Sequence, residues 1–414
     1  MCDDPAAMTD PTAVQPRKLT VLCYGAMMSL SIGMNLLPVF LTSIGATYGG
    51  AAGLSQEQLG RLGAFCFAGL VLGIFVAGPL ADRWGAKGFV LFGNGASVLC
   101  LLAMAWAPTY NALAAALFCL GLAAGVLDMV LSPVVSALNP TRRAAALNWL
   151  HSFYCVGAAV TILAGTLALR AGLSWQQASL LLIPLPLALL FVFAPMQFPA
   201  LVGEGGRTPL RTLLGQKWFV VALLAIFLAG ATELGMAQWL PAYAERSLDF
   251  PAWVGGGSLL LFSLMMAAGR MAVGAAGTRV TPFQAMGWGC ALSVLLFLAG
   301  SFLPVSGLAL AACILVGFTG SALWPTMLAV TGDRHPEGGA TMFAALAAIG
   351  NAGGIFMPWV VGAIADRSDL HWGLAVSALA PLGMLALLGA LRGERPVLTS
   401  SSSTAPHPSL PPAL

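Results

Sequence analysis

Gly78-Pro79-Leu80-Ala81-Asp82-Arg83-Trp84-Gly85-Ala86-Lys87-Gly88 sets three charges in one short stretch, between apolar runs longer than a bilayer-spanning helix needs. Gly85 and Gly88 permit the positive φ of a tight turn between two helices. Arg83 and Lys87 make the turn basic, which marks it as cytoplasmic. Asp82 is the odd member. It falls at the C-terminal end of the preceding helix, where the macrodipole disfavours an anion, so its carboxylate calls for a cationic or amide partner.

The rest of the chain fits a bilayer solvent. Of 414 residues 59% are hydrophobic and only 8% charged, with a mean hydropathy of +0.89. A soluble chain would carry about three times that charge. The apolar residues run in blocks of 20 or more, which predicts many membrane helices. Spans are predicted at 19–44, 57–81, 86–107, 110–137, 144–170 and 176–197, and again at 217–246, 253–276, 281–303, 306–331, 338–365 and 372–392. The expected organisation is a cytoplasmic tail (1–18), a six-helix bundle (19–197), a cytoplasmic linker (198–216), a second bundle (217–392) and a disordered cytoplasmic tail (393–414). With both termini inside, fourteen Lys and Arg fall on the cytoplasmic side, Arg270 among them, and only Arg61, Arg170, Arg246 and Arg367 outside.

The Gly-x-x-x-Asp-Arg-x-Gly-x-Lys spacing, placed between the second and third spans, resembles the signature of the major facilitator superfamily. That resemblance implies an all-α fold of twelve transmembrane helices in two pseudo-symmetric six-helix bundles around a central cavity. It also makes Gly78, Asp82, Arg83, Gly85 and Lys87 gating residues. Asp82 is expected to meet the N-terminal amides of the eleventh helix near Gly338 and Thr341. The halves echo each other, with Pro133 nine residues before Arg142 and Pro325 nine before Arg334. Gly269-Arg270-x-x-x-Gly274 reads as a degenerate counterpart of the Asp82 turn, placing Arg270 in the gate near the cytoplasmic end of its helix.

Further stretches narrow the likeness: Gly125-Val126-Leu127-Asp128 leading to Ser132-Pro133, Asn148-Trp149-Leu150-His151, Glu233 with Trp239-Leu240-Pro241 and Tyr243, and Trp324-Pro325-Thr326. Together they resemble the fucose:proton symporter family of sugar permeases, over residues 20–392. The resemblance implies proton-coupled sugar uptake by a multi-pass inner-membrane protein, with sugar, protons and the lipid bilayer as partners. Asp128 stands at the position of a fourth-helix acid in the family's fucose permeases. The first-helix acid of those permeases has no counterpart here, and Ser132 stands where they carry an asparagine.

Of fifteen acidic residues only Asp128 and Glu233 lie deep within spans, where an ionised carboxylate costs about 2.5–3.5 kcal/mol or more. Such groups pair with a base, line a cavity or carry protons, and both are proton-coupling candidates. Asp128 lies ~15 Å from the cytoplasmic end of its helix, near the midplane. Substrate-binding candidates are Gln238, Trp239 and Tyr243, where an aromatic face beside polar groups suits a sugar, together with His151, Trp324 and Asn351, and the family resemblance implies Asn148 as a further one. Tyr243 reads equally as an interfacial belt residue, and His151 equally as a structural hydrogen-bond donor. The cysteine spacing matches no metal or redox motif, and no metal, cofactor or nucleic-acid partner is expected of this monomer. No nucleotide loop or nucleophile elbow points to an enzyme. A facilitator-type exporter of amphipathic compounds is the alternative, and a non-transporting membrane sensor a more distant one.

Overall fold

The computed structural model describes residues 15–48, 53–54, 56–201 and 208–393. Among them twelve helical spans are long and apolar enough to cross a membrane. They are Pro16–Leu37, Arg61–Trp84, Ala86–Ala105, Tyr110–Leu138, Arg143–Arg170, Trp175–Phe193, Lys217–Arg246, Val254–Ala276, Pro282–Phe302, Ser306–Arg334, Gly339–Ala365 and Leu370–Arg392. They form two six-helix bundles. Every expected span is present, with the ends shifted by a few residues. The last span starts early enough to include His371. Arg207 and Arg395 lie outside the described residues. The described end of the 198–216 stretch holds a short helix, Leu210–Leu214.

Four spans are interrupted, and proline explains where. The breaks at 181–183, 238–239, 321–322 and 378 precede Pro184, Pro241, Pro325 and Pro381 by no more than four residues. Proline has no N–H to donate and its ring collides with the carbonyl four residues back, so the helix restarts with the proline in its first turn. At several spans side chains cap the first free N–H groups. Thr109 accepts from the Ala112 amide, and Ser174 with Gln177 and Thr281 with Gln284 form reciprocal capping boxes.

The two bundles are held internally by small residues. Gly69 and Gly73 on the second span lie against Gly121 and Gly125 on the fourth. A Cβ on any of the four would run into the partner's backbone at Phe118, Leu122, Cys66 or Leu70. The second bundle repeats the device. A Cβ on Gly269 would strike the Phe318 carbonyl, and one on Gly317 would lie 2.6 Å from the Phe262 carbonyl.

Packing across the bundles is lopsided. Towards the face carrying the Asp82 turn there is one continuous apolar core. It joins Leu30, Ile74, Val130 and Leu147 to Phe219, Met327, Ala344 and Leu346 of the other bundle. Towards the opposite face there are two cores. One is built on Phe40, Leu62, Leu117 and Trp175 of the first bundle. The other, built on Tyr243, Phe262, Phe297 and Leu374 of the second, takes only Cys155 from the first among its buried members. The halves are therefore fused at the Asp82 face and parted above it.

At the turn itself Gly85 has φ 79°, as expected, whereas Gly88 lies inside the third span and needs no special conformation. The counterpart read at Gly269-Arg270 is corrected. Both residues sit within the eighth span, and the turn that follows uses Gly277 at φ 57°.

Candidate functional site

Between the halves lies a chamber of about 150 Å³, just above the fused core. Asp128 and Glu233 both line it. Arg270 belongs here too, which removes it from the gate and from the cytoplasmic tally. It is 3% exposed, and its Nη2 lies 2.7 Å from a Glu233 carboxylate oxygen. The same guanidinium donates through Nε to the Ser321 carbonyl (2.9 Å), and through Nη1 to the His151 carbonyl (2.9 Å) and the Cys155 sulfur (3.3 Å). The Ser321 carbonyl is open for it because the residue four positions on is Pro325, which has no N–H. Arg270 thus bonds the seventh and tenth spans of its own half and the fifth span of the other. A paired, hydrogen-bonded cation is the form in which burial is tolerated.

Asp128 differs. Among the described residues no donor reaches its carboxylate, and it stands half-buried on the chamber wall. Four residues on, Ser132 is buried with its hydroxyl 3.2 Å from Nε2 of His151, which also lines the chamber. Trp324 and Asn351 also line it, together with Tyr154, Phe67, Met34 and Leu234. Tyr154 was not foreseen, although it follows His151 by one turn of the fifth helix and so shares its face.

Four candidates are elsewhere. Asn148 is fully buried beneath the chamber, its amide nitrogen donating to the Ala144 carbonyl and to the Thr326 hydroxyl of the other half, both at 2.9 Å. Its carboxamide oxygen has no partner among the described residues. Trp239 donates to the Pro358 carbonyl (2.9 Å) with its ring against Gly362. Tyr243 is neither a chamber residue nor an interfacial one. It is wholly buried, and its hydroxyl donates at 2.7 Å to the Gly300 carbonyl, left open because Pro304 stands four residues on. His371 lies 2.8 Å from the same hydroxyl. Gln238 is exposed beside the seventh-span break and does not line the chamber.

Below the chamber, the halves meet in polar contacts. Asp82 accepts from the Ala340 amide (2.5 Å), the Thr341 amide (2.9 Å) and the Thr341 hydroxyl (2.5 Å). Its partners are those amides at the start of the eleventh span, two to three residues beyond Gly338. Gly339, at φ 62°, leaves no room for a side chain beside the carboxylate. A Cβ on Gly78 would lie 2.6 Å from that of Ala344 on the same span. Arg83 is exposed and Lys87 half-buried. Arg143 adds an ion pair with Asp333 of the other half.

Compared with known proteins, residues 21–340 match the sequence profile of the Major Facilitator Superfamily. An uncharacterised MFS-type transporter of Yersinia pestis is 22% identical over 327 residues, covering 79% of this chain and 85% of that one. The 3-(3-hydroxy-phenyl)propionate transporter of Escherichia coli is 27% identical over 271 residues, 61% of this chain and 66% of the relative. Among solved structures, FucP in the outward conformation superposes with a TM-score of 0.76 at 16% identity, over 90% of this chain and 98% of FucP. The human organic anion transporter MFSD10 gives 0.72 at 15%, over 91% and 100%. With its twelve spans and its profile match, this multi-pass membrane protein belongs to the Major Facilitator Superfamily.

Proposed function

We propose that the chain is a secondary active transporter that carries a small polar solute, a hexose-type sugar, together with a proton, by alternating access to the chamber. The observation that carries this reading is Asp128, a carboxylate with no donor among the described residues, facing the same space as the neutralised Glu233–Arg270 pair. An unpaired acid on a cavity wall inside a membrane is where a proton can be taken up from one side and released to the other. Asp128 is the coupling residue and Glu233 the second. His151, Asn351 and Tyr154 offer hydrogen bonds to hydroxyls, and Trp324 a ring face for C–H groups. The bodies that move are residues 19–197 and 217–392, joined by 198–216. Asp82 with Gly78, Arg83, Gly85 and Lys87 forms the gate. Support also comes from the neighbours FucP, titled a fucose:proton symporter, and XylE, titled a proton:xylose symporter, at 15% and 12% identity.

Uptake of labelled hexoses into proteoliposomes, with and without a pH gradient, tests the reading. Accumulation that ignores the pH gradient but follows sodium would replace the coupling ion, and no hexose uptake would remove the sugar. Both termini and the linker are placed in the cytoplasm. A cysteine at exposed Gln216 should then react with impermeant reagents only from inside.

A second reading, a facilitator-type exporter of amphipathic compounds, is favoured by the relative named as a 3-(3-hydroxy-phenyl)propionate transporter.

A further inference from the structure

Beside the chamber lies a second space. Between the second and eleventh spans lies an apolar alcove of about 260 Å³. Its walls are Val71, Ile74 and Phe75 on one span and Ala348, Ala352 and Ile355 on the other. Asn351 lines both spaces, and the adjacent residues Leu70 and Val71 line one each, so the two share a wall. Towards the Asp82 face the alcove is blind, since the same two spans close at Gly78 and Ala344. At its outer edge Phe75 and Ile355 are more than half exposed. Among the described residues no charged side chain lines it, and the Asn351 carboxamide is its only side-chain polar group. The chamber, by contrast, holds Asp128, Glu233, Arg270 and His151.

A polar space beside an apolar one, with Asn351 lining both, fits a solute built the same way. We infer that the transported solute is amphipathic, with a polar head in the chamber and an aromatic or short alkyl arm in the alcove between the second and eleventh spans. Each space alone matches half such a molecule, and the Asn351 carboxamide stands at the joint. This rests on the reading of the chamber as the solute site, and it adds the arm that a free hexose lacks. Burying a phenyl group from water in such a space should tighten binding by about tenfold or more.

Two matched pairs of probes test it: D-glucose against phenyl β-D-glucoside, and propionate against 3-phenylpropionate. Binding to the purified protein is read by thermal stabilisation over a concentration series. The expected result is that the phenyl member binds at least about tenfold more tightly in one series or both. Ala352→Phe, a change at an exposed position that fills the alcove, should erase that gain and leave the small member's affinity unaltered. A gain in the glucoside series supports both the arm and the sugar head. A gain confined to the propionate series upholds the alcove and removes the hexose reading. The inference is overturned if the phenyl member gains nothing in either series, glucose binding alone included, or if the gain survives Ala352→Phe, as it would were the alcove occupied by lipid.

Discussion

Replacing Asp82 by asparagine keeps the shape of the latch and removes its charge. Asp82 accepts two amides and one hydroxyl from the first turn of the eleventh span, at 2.5 to 2.9 Å. In Asp82→Asn the new carboxamide would turn its N–H₂ group towards one of those donors, so at least one charge-assisted bond is lost, about 1.5–3 kcal/mol. The favourable interaction of an anion with the helix N-terminus goes too, a further ~0.5–1 kcal/mol at this half-buried site. The sum, about 3 kcal/mol, falls on the state in which the Asp82 face is closed. At 1.4 kcal/mol per tenfold that moves the open-to-closed ratio by about a hundredfold. Spin labels at exposed Arg83 and Glu337, on opposite halves of this face, report the equilibrium by their distance distribution. Asp82→Asn should shift weight to the longer distance and slow net transport. Thr341→Val, which removes the hydroxyl bond to Asp82 and keeps both amide bonds, should shift it less. A distance distribution identical to that of the unaltered protein, with transport unchanged, would refute the latch.

For Asp128→Asn, coupling predicts that uphill uptake driven by a pH gradient disappears while exchange of labelled for unlabelled solute survives, because exchange needs no proton release. Persistent uphill uptake would pass the role to Glu233, tested with Glu233→Gln. Arg270→Met strands the Glu233 carboxylate and should cost about 3–5 kcal/mol, read as a fall in the thermal midpoint. The double substitution with Glu233→Gln should recover much of that, and an equal loss in both would deny the pair its charge-neutralising part. His335, outside the spans, packs edge-on against Trp218 and Phe219, and burial, helped by the nearby Arg334 charge, holds its ring below the ordinary histidine value. A depressed value means that the unfolded chain takes up the proton first, so stability is full above about pH 6.5 and declines as pH falls. His335→Gln should flatten that decline below about pH 6.5, and an unchanged slope would contradict it.

The spans were legible because a bilayer demands long apolar runs, and the Asp82 partner because an anion at a helix C-terminus needs donors that another helix's N-terminus supplies. What could not be read was rotation about each helix axis. Position along the chain puts Arg270 six residues before the end of its helix, and only packing aims it at Glu233. Trp239 and Tyr243 have the composition of a sugar site whichever way they face. Both turn to backbone carbonyls of neighbouring spans, in the case of Tyr243 to one that a proline leaves open. Proline as the maker of free acceptors was the available signal, since Pro304 and Pro325 mark the carbonyls of Gly300 and Ser321. The glycine pairs of the second and fourth spans announced close packing, but not that they pack on each other.

That glycine contact has a mechanical consequence. Helices whose backbones touch cannot slide separately, so the second and fourth spans must tilt as a single lever. Asp82 rides on this lever nine residues beyond Gly73 and Asp128 three beyond Gly125, at opposite ends of ~10 Å of travel along the helix axis. The eighth and tenth spans, locked through Gly269 and Gly317, form a second lever bearing Arg270 at the chamber and Asp333 at the lower contact with Arg143. Each lever thus carries one charge at the chamber and one at the contact between the halves below it. A tilt that moves the upper charge moves the lower one with it, with no relay of side chains between the two.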